Sequence, residues 1–257
     1  MRLAMSEIPV NTVKEPRRAV RSRFFISMCA LLFGITLVGF SRTLYLRNAF
    51  GLSALPTHLY AHGAVLTGWF ALALVQAYFI RAARTHIHRA LGVAGVLLAI
   101  AVVVVSIITL VQFSLANEFP DLTPILVSGN LSSLIAFSAC FTSGVLLRHR
   151  PDAHKRLVLL ASIAIVAPAL DRFARLPMMR EFFAPLLGGF PAPYYLVFAA
   201  VALVALLGAV LVFDIVSRRR VHPATLWGVA CIVLIGQILG AAIGRGGPWA
   251  RFVALFR

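Results

Sequence analysis

Acidic residues are scarce in this chain, with eight Asp and Glu against 24 Lys and Arg. Charged residues of both signs make up only 12% of the 257 positions, about half the share found in soluble domains. Cysteine is scarce as well: Cys29, Cys140 and Cys231 each stand alone in a different apolar run. With no CxxC, CxxCH or other paired spacing, a disulfide framework and a covalently attached c-type haem are both excluded. The sequence also lacks a nucleotide-binding glycine loop, a Ser/His/Asp arrangement and an HExxH pair, which argues against a hydrolase. Long polar stretches are missing, so no loop has room for a soluble domain.

What fills the chain is hydrocarbon: 61% of the residues are hydrophobic and the mean hydropathy is +0.93. The apolar residues come in runs long enough to cross a bilayer, which takes about 20 residues. Seven spans are expected, at about 24–46, 57–80, 88–113, 124–148, 155–176, 192–216 and 223–243. Between them stand helix-stopping signals: Pro56, Arg81 with Arg84, Pro120 with Pro124, "RHRPD", "GGFPAP" and "SRRRVHP". The fold class is therefore all-α, a polytopic membrane helix bundle of about seven transmembrane helices. Residues 1–23 form a basic cytoplasmic tail and 24–257 a single transmembrane domain. The apolar "FFISMCALLFGITLVGF" is followed by bulky "SRTLYLR" rather than small residues at a cleavage site, so it reads as an uncleaved first helix.

The formal charge of +16 would suggest nucleic acid in a soluble domain. Here the bases lie in short clusters between apolar runs, the pattern of the positive-inside bias, and no nucleic-acid partner is expected. With the N-terminus inside, the cytoplasmic side receives Arg2, Lys14, Arg17, Arg18, Arg21, Arg23, Arg81, Arg84 and Arg89. Arg148, Arg150, Lys155, Arg156, Arg218, Arg219 and Arg220 join them, making 16 of the 24 bases. Glu118 and Asp121 fall outside. The expected topology is N-in, C-out. Small residues in "LGVAGVLLAIA" and "VALLGAVLV" permit close helix contact.

Three places look alike. "RTHIHRALG" opens the third span, "RPDAHKRLVLL" the fifth and "RRRVHPATLWG" the seventh. In each, a basic turn precedes a histidine and an outward-going helix follows. His88, His154 and His222 are separated by 66 and 68 residues, as three similar hairpins after a lone first helix would place them. They lie at helix N-termini, whose partial positive charge favours neutral imidazole, the form that ligates a metal or haem iron. Capping of the helix or contact with headgroups is the plainer alternative. His86 and His88 point about 200° apart, so only one of them faces inward.

A second cluster belongs near the outer face. His58 and His62 are an i, i+4 pair on one helix face, and His62 lies 18 residues, about 27 Å, from Ile80. Asp171 is 17 residues beyond His154, about 26 Å up, at a similar depth. A carboxylate inside a span costs about 2.5–3.5 kcal/mol on insertion scales, so a partner is expected. Either Arg172 or Arg175 supplies it, or His58, His62 and Asp171 form a two-histidine, one-carboxylate metal site. Asn130, Gln112 and Gln237 would surround such a site.

The texts "HGAVLTGWFALALVQAYFIRAARTHIHRALGVAG", "RHRPDAHKRLVLLASIAIVAPALDR" and "RRRVHPATLWG" resemble an uncharacterised family of bacterial multi-helix membrane proteins, over most of residues 57–250. The resemblance implies a membrane fold in a bacterial inner membrane and no particular activity. A looser likeness is to transmembrane b-type cytochromes, which hold haem between histidines on facing helices. It implies that His88 with His154 could sandwich one haem b, whereas the outer pair, on one helix, could not. The first functional expectation is thus a redox protein using haem b or a transition metal. A proton-linked or small-molecule transporter using Asp171 and the outer histidines is the second. The third is a non-catalytic partner of another membrane protein.

Overall fold

A computed structural model describes residues 14–116, 123–190, 192–244 and 247–256, with side chains from residue 23 onwards. The acidic loop expected outside the membrane, with Glu118 and Asp121, lies outside the described residues, as does most of the basic tail. No strand forms among the described residues. The order is α1 (Lys14–Phe40), α2 (Thr57–Arg81), α3 (Thr85–Ala116), α4 (Thr123–Leu146), α5 (Pro151–Ala164) and α6 (Ala167–Ala174). α7 (Pro177–Leu187), α8 (Tyr194–Arg218), α9 (Pro223–Ala230), α10 (Gly236–Gly244) and α11 (Gly247–Ala254) follow. A π-helical turn, Ser41–Tyr45, extends α1, and another, Cys231–Ile235, joins α9 to α10.

Six stretches are long and apolar enough to cross a membrane: Arg23–Tyr45, Thr57–Arg81, Thr85–Ala116, Thr123–Leu146, Tyr194–Arg218 and Pro223–Gly244. A seventh is reached if α5 and α6, which meet at 45° across a short break, count as one broken span. The break follows from Pro168, in the first turn of α6, which lacks an N–H and whose ring clashes with the carbonyl four residues back. Pro151, Pro177 and Pro223 mark helix starts, where the missing N–H costs no helical bond. The apolar face of α3, through Val93, Leu97 (63% exposed), Ile100, Val104 and Ile108, is left exposed by the described residues. So wide an exposed apolar surface suits lipid.

α4 and α5 sit at the centre. α5 is the most enclosed, with Leu157, Leu160, Ala161 and Ile163 fully buried. α2 and α3 form a hairpin outside them, while α1 packs on α2 and α6, α8 on α6, α9 on α5, and α10 on α4. The last contact is close because α10 presents Gly236, Gly240 and Gly244 to Ser128 and Ser132. A Cβ on Gly236 would stand 2.7 Å from the Ser132 carbonyl oxygen, and one on Gly244 2.7 Å from Ser128 Oγ. These are the small-residue contacts by which apolar helices approach one another in lipid.

Candidate functional site

At the end of the bundle that holds Arg23, the α2–α3 hairpin stands apart from α4, α5 and α9. The gap is a cleft of about 2910 Å³, several times the 300–1,000 Å³ of drug-sized pockets. Deep in it lie Trp69, Leu72, Phe141 and Ser162. Trp69 donates from Nε1 to Ser162 Oγ at 3.1 Å and meets Phe137 and Phe141 edge-on, at 5.0 and 5.3 Å between ring centroids. This fixes an aromatic cluster between α2, α4 and α5.

His88, His154 and His222 all line this cleft. The basic turns that the sequence shares, α2–α3, α4–α5 and α8–α9, lie together at one end of the bundle, and each histidine begins the helix that leaves. The His88 and His154 rings lie 6.2 Å apart between centroids, with planes at 81°. His154 Nδ1 is 2.8 Å from the Gly144 carbonyl oxygen. A carbonyl only accepts, so Nδ1 carries the proton and the Nε2 lone pair of the neutral ring is free for a ligand. A metal-ligating imidazole is oriented by the same kind of bond. His88 Nδ1 is buried with no hydrogen-bond partner, and so is Gln76 Oε1, one helix away on α2. Buried polar atoms left this way are costly unless something else meets them.

His222 is placed differently. It is the N-cap of α9, and its Nδ1 accepts from the Ala224 backbone N–H at 3.1 Å. Burial and the nearby Arg156 and Arg218 guanidinium groups hold its pKa below the ordinary histidine value, which keeps Nδ1 able to accept. The capping alternative therefore describes His222, while His88 and His154 form the pair.

Under the cleft lies an ionic clasp absent from the sequence reading. Arg156 and Asp214 are both fully buried. Arg156 Nε donates to Asp214 Oδ1 at 2.9 Å, and its Nη2 is bound to the same oxygen. Asp214 Oδ2 accepts from Thr225 Oγ1 at 2.6 Å and from the His222 backbone N–H at 3.0 Å. Asp152 takes Lys155 at 2.6 Å and also pairs with Arg218. α5, α8 and α9 are thereby tied together at the level of His154. The signal for this clasp was a carboxylate inside "LVFDIVSRRR", since an aspartate in an apolar run needs a partner.

The outer cluster does not assemble. Asp171 is held by Arg175, at 2.6 Å from Nε to Oδ1 and 3.1 Å from Nη2 to Oδ2, with Arg172 at 4.0 Å. The helical spacing supplies the counter-ion one turn away, so the carboxylate has no need of His58 or His62. Among the described residues no three His, Cys, Asp or Glu side chains gather as a metal set. Asn130 donates to Leu126 of its own helix, and Gln112 and Gln237 are exposed. Of the two alternatives for Asp171, the structure shows the arginine pairing, and His62 keeps a buried, unpartnered Nδ1.

No family model, curated protein or solved structure matches the chain.

Proposed function

We propose that the chain is a membrane redox protein that holds one haem b between His88 and His154. The observation that carries the reading is their 6.2 Å separation. With metal–nitrogen bonds of about 2 Å and ring centres about 1.1 Å behind the nitrogens, imidazoles on opposite sides of one ion stand roughly 6.3 Å apart. Two donors are too few for a structural or catalytic zinc, which takes three or four protein ligands. They suffice for haem, which brings its own four nitrogens. The cleft has room for a flat macrocycle and offers Trp69 and Phe141 on its floor. When bound, the group would supply one-electron transfer, its potential set by two imidazoles and a largely apolar surround. The residues orient and exclude: Gly144 aims His154, the aromatic cluster keeps water out, and the clasp holds α5 in place.

The same reading places the cleft at the cytoplasmic face of a bacterial inner membrane, N-terminus inside, because the bases concentrate at that end. A lipid bilayer surrounds the bundle, and electron exchange calls for a partner at the cleft. A transporter using the outer histidines is the second reading, with Asp171 there paired to Arg175.

The test is an optical spectrum of the purified protein supplied with haem, beside His88→Ala and His154→Ala. The wild type is expected to give a six-coordinate, low-spin spectrum, and each variant to lose it. Identical spectra from all three would refute ligation by this pair.

A further inference from the structure

Arg23, Arg81, Arg89, Arg148 and Arg150 surround the cleft, all exposed, and among the described residues no carboxylate pairs with them. The ion pairs of the described residues engage Arg156, Arg172, Arg175, Arg218 and Lys155 instead. Asp152, the acidic residue that lines the cleft, is already taken by Lys155 and Arg218. An excess of bases at one membrane face follows from topology alone. These, however, close over an apolar interior, so that charge and hydrocarbon border one space. A molecule that satisfies both has an apolar body with acidic groups along one edge.

The geometry points to Arg81, Arg89, Arg148 and Arg150 as the seat of such acidic groups, so that the cleft selects a porphyrin whose carboxylates are free and holds its acidic edge at the mouth. This inference rests on the haem reading of His88 and His154. The bases and the ring ligands come from the same two turns. Arg89 follows His88 directly, and Arg150 precedes His154 by one helical turn, so a ligand centred between the rings has its edge within reach of both turns. Guanidinium groups are suited to the task, because their forked donors match a carboxylate oxygen for oxygen.

Iron-free protoporphyrin separates this seat from axial ligation, because it keeps the carboxylates and cannot be ligated by histidine. Its fluorescence is titrated with the full-length protein in detergent, in parallel with its dimethyl ester. The free acid is expected to bind about tenfold more tightly than the ester, as one or two charge-assisted bonds would give. Arg148→Gln with Arg150→Gln is expected to remove that difference while leaving ester binding as it was, which also reports that the variant is folded. Arg→Lys at both positions should restore part of the preference. Equal binding of acid and ester, or binding of neither, overturns the inference. It is also overturned if an anionic phospholipid added to the detergent abolishes the preference while a zwitterionic one does not, since the bases would then be reading lipid headgroups. If haem shows no low-spin spectrum although the acid preference stands, the ligation reading fails and the seat survives.

Discussion

Within α9's first turn, His222 spends its Nδ1 lone pair on a backbone N–H, a use that only the neutral ring permits. The charges facing it come from two elements: Arg156 and Asp152 on α5, Asp214 and Arg218 on α8. Burial and the two arginines outweigh the two carboxylates, so its pKa in the folded protein lies below the ordinary value of about 6.5. Unfolded chains then bind the proton first, and the stabilisation is present above about pH 6.5 and lost as pH falls towards the folded value. Thermal unfolding at several pH values between 7.5 and 5 should show the wild type losing more stability than His222→Asn. Asparagine caps comparably and does not titrate in this range. Parallel losses in both proteins would mean that other groups carry the pH dependence. At this scale the histidines were legible, since basic turns marked them, but their separate roles were not. Pro223 fixes His222 as a cap, whereas what sets His154 apart is a carbonyl on α4 that no local pattern reveals. Asp214 was visible as an anomaly and Arg156 as one base among many; their pairing needed α5 and α8 in place.

Among the elements, span positions were readable because hydropathy and length determine them, and α2, α3 and α4 end within three residues of where the runs place them. The fifth span was expected to be continuous, and Pro168 divides it. α7 escaped notice, being a short amphipathic helix in which Met178, Phe182 and Leu186 stay exposed on one stripe. Such a length falls below any spanning window. The glycines could be read as packing residues, though not which helix they meet. That pairing is testable by size: Gly240→Val would drive a side chain into Ser128 and Ser132, whereas nothing lies within 4 Å of a Cβ on Gly208 of α8. The first change should cost about 1–3 kcal/mol or more, as overpacking does, and Gly208→Ala about nothing, by thermal unfolding in detergent. Similar midpoints for both variants would contradict the packing of α10 on α4.

For the molecule as a whole, six long apolar helices and the bent α5–α6 pair bring three basic turns to one end, where they border a cleft between the α2–α3 hairpin and the central helices. Equal sequence spacing told that the histidines begin equivalent helices. It did not tell that two of them meet, because rotation of α3 and α5 about their axes is set by packing rather than by period. The outer histidines show the converse, since a shared helix face and a shared depth were not enough to join them to Asp171. The central claim is that His88 and His154 take one iron between them, and their ring planes stand at 81°. A ferric haem held by two imidazoles at that angle would be low-spin, with strongly anisotropic magnetic parameters. Electron paramagnetic resonance of the oxidised, haem-loaded protein is therefore the most direct measurement. The expected result is a highly anisotropic low-spin signal that disappears in His154→Ala; a high-spin signal in the wild type, or no protein-bound haem at all, would contradict it.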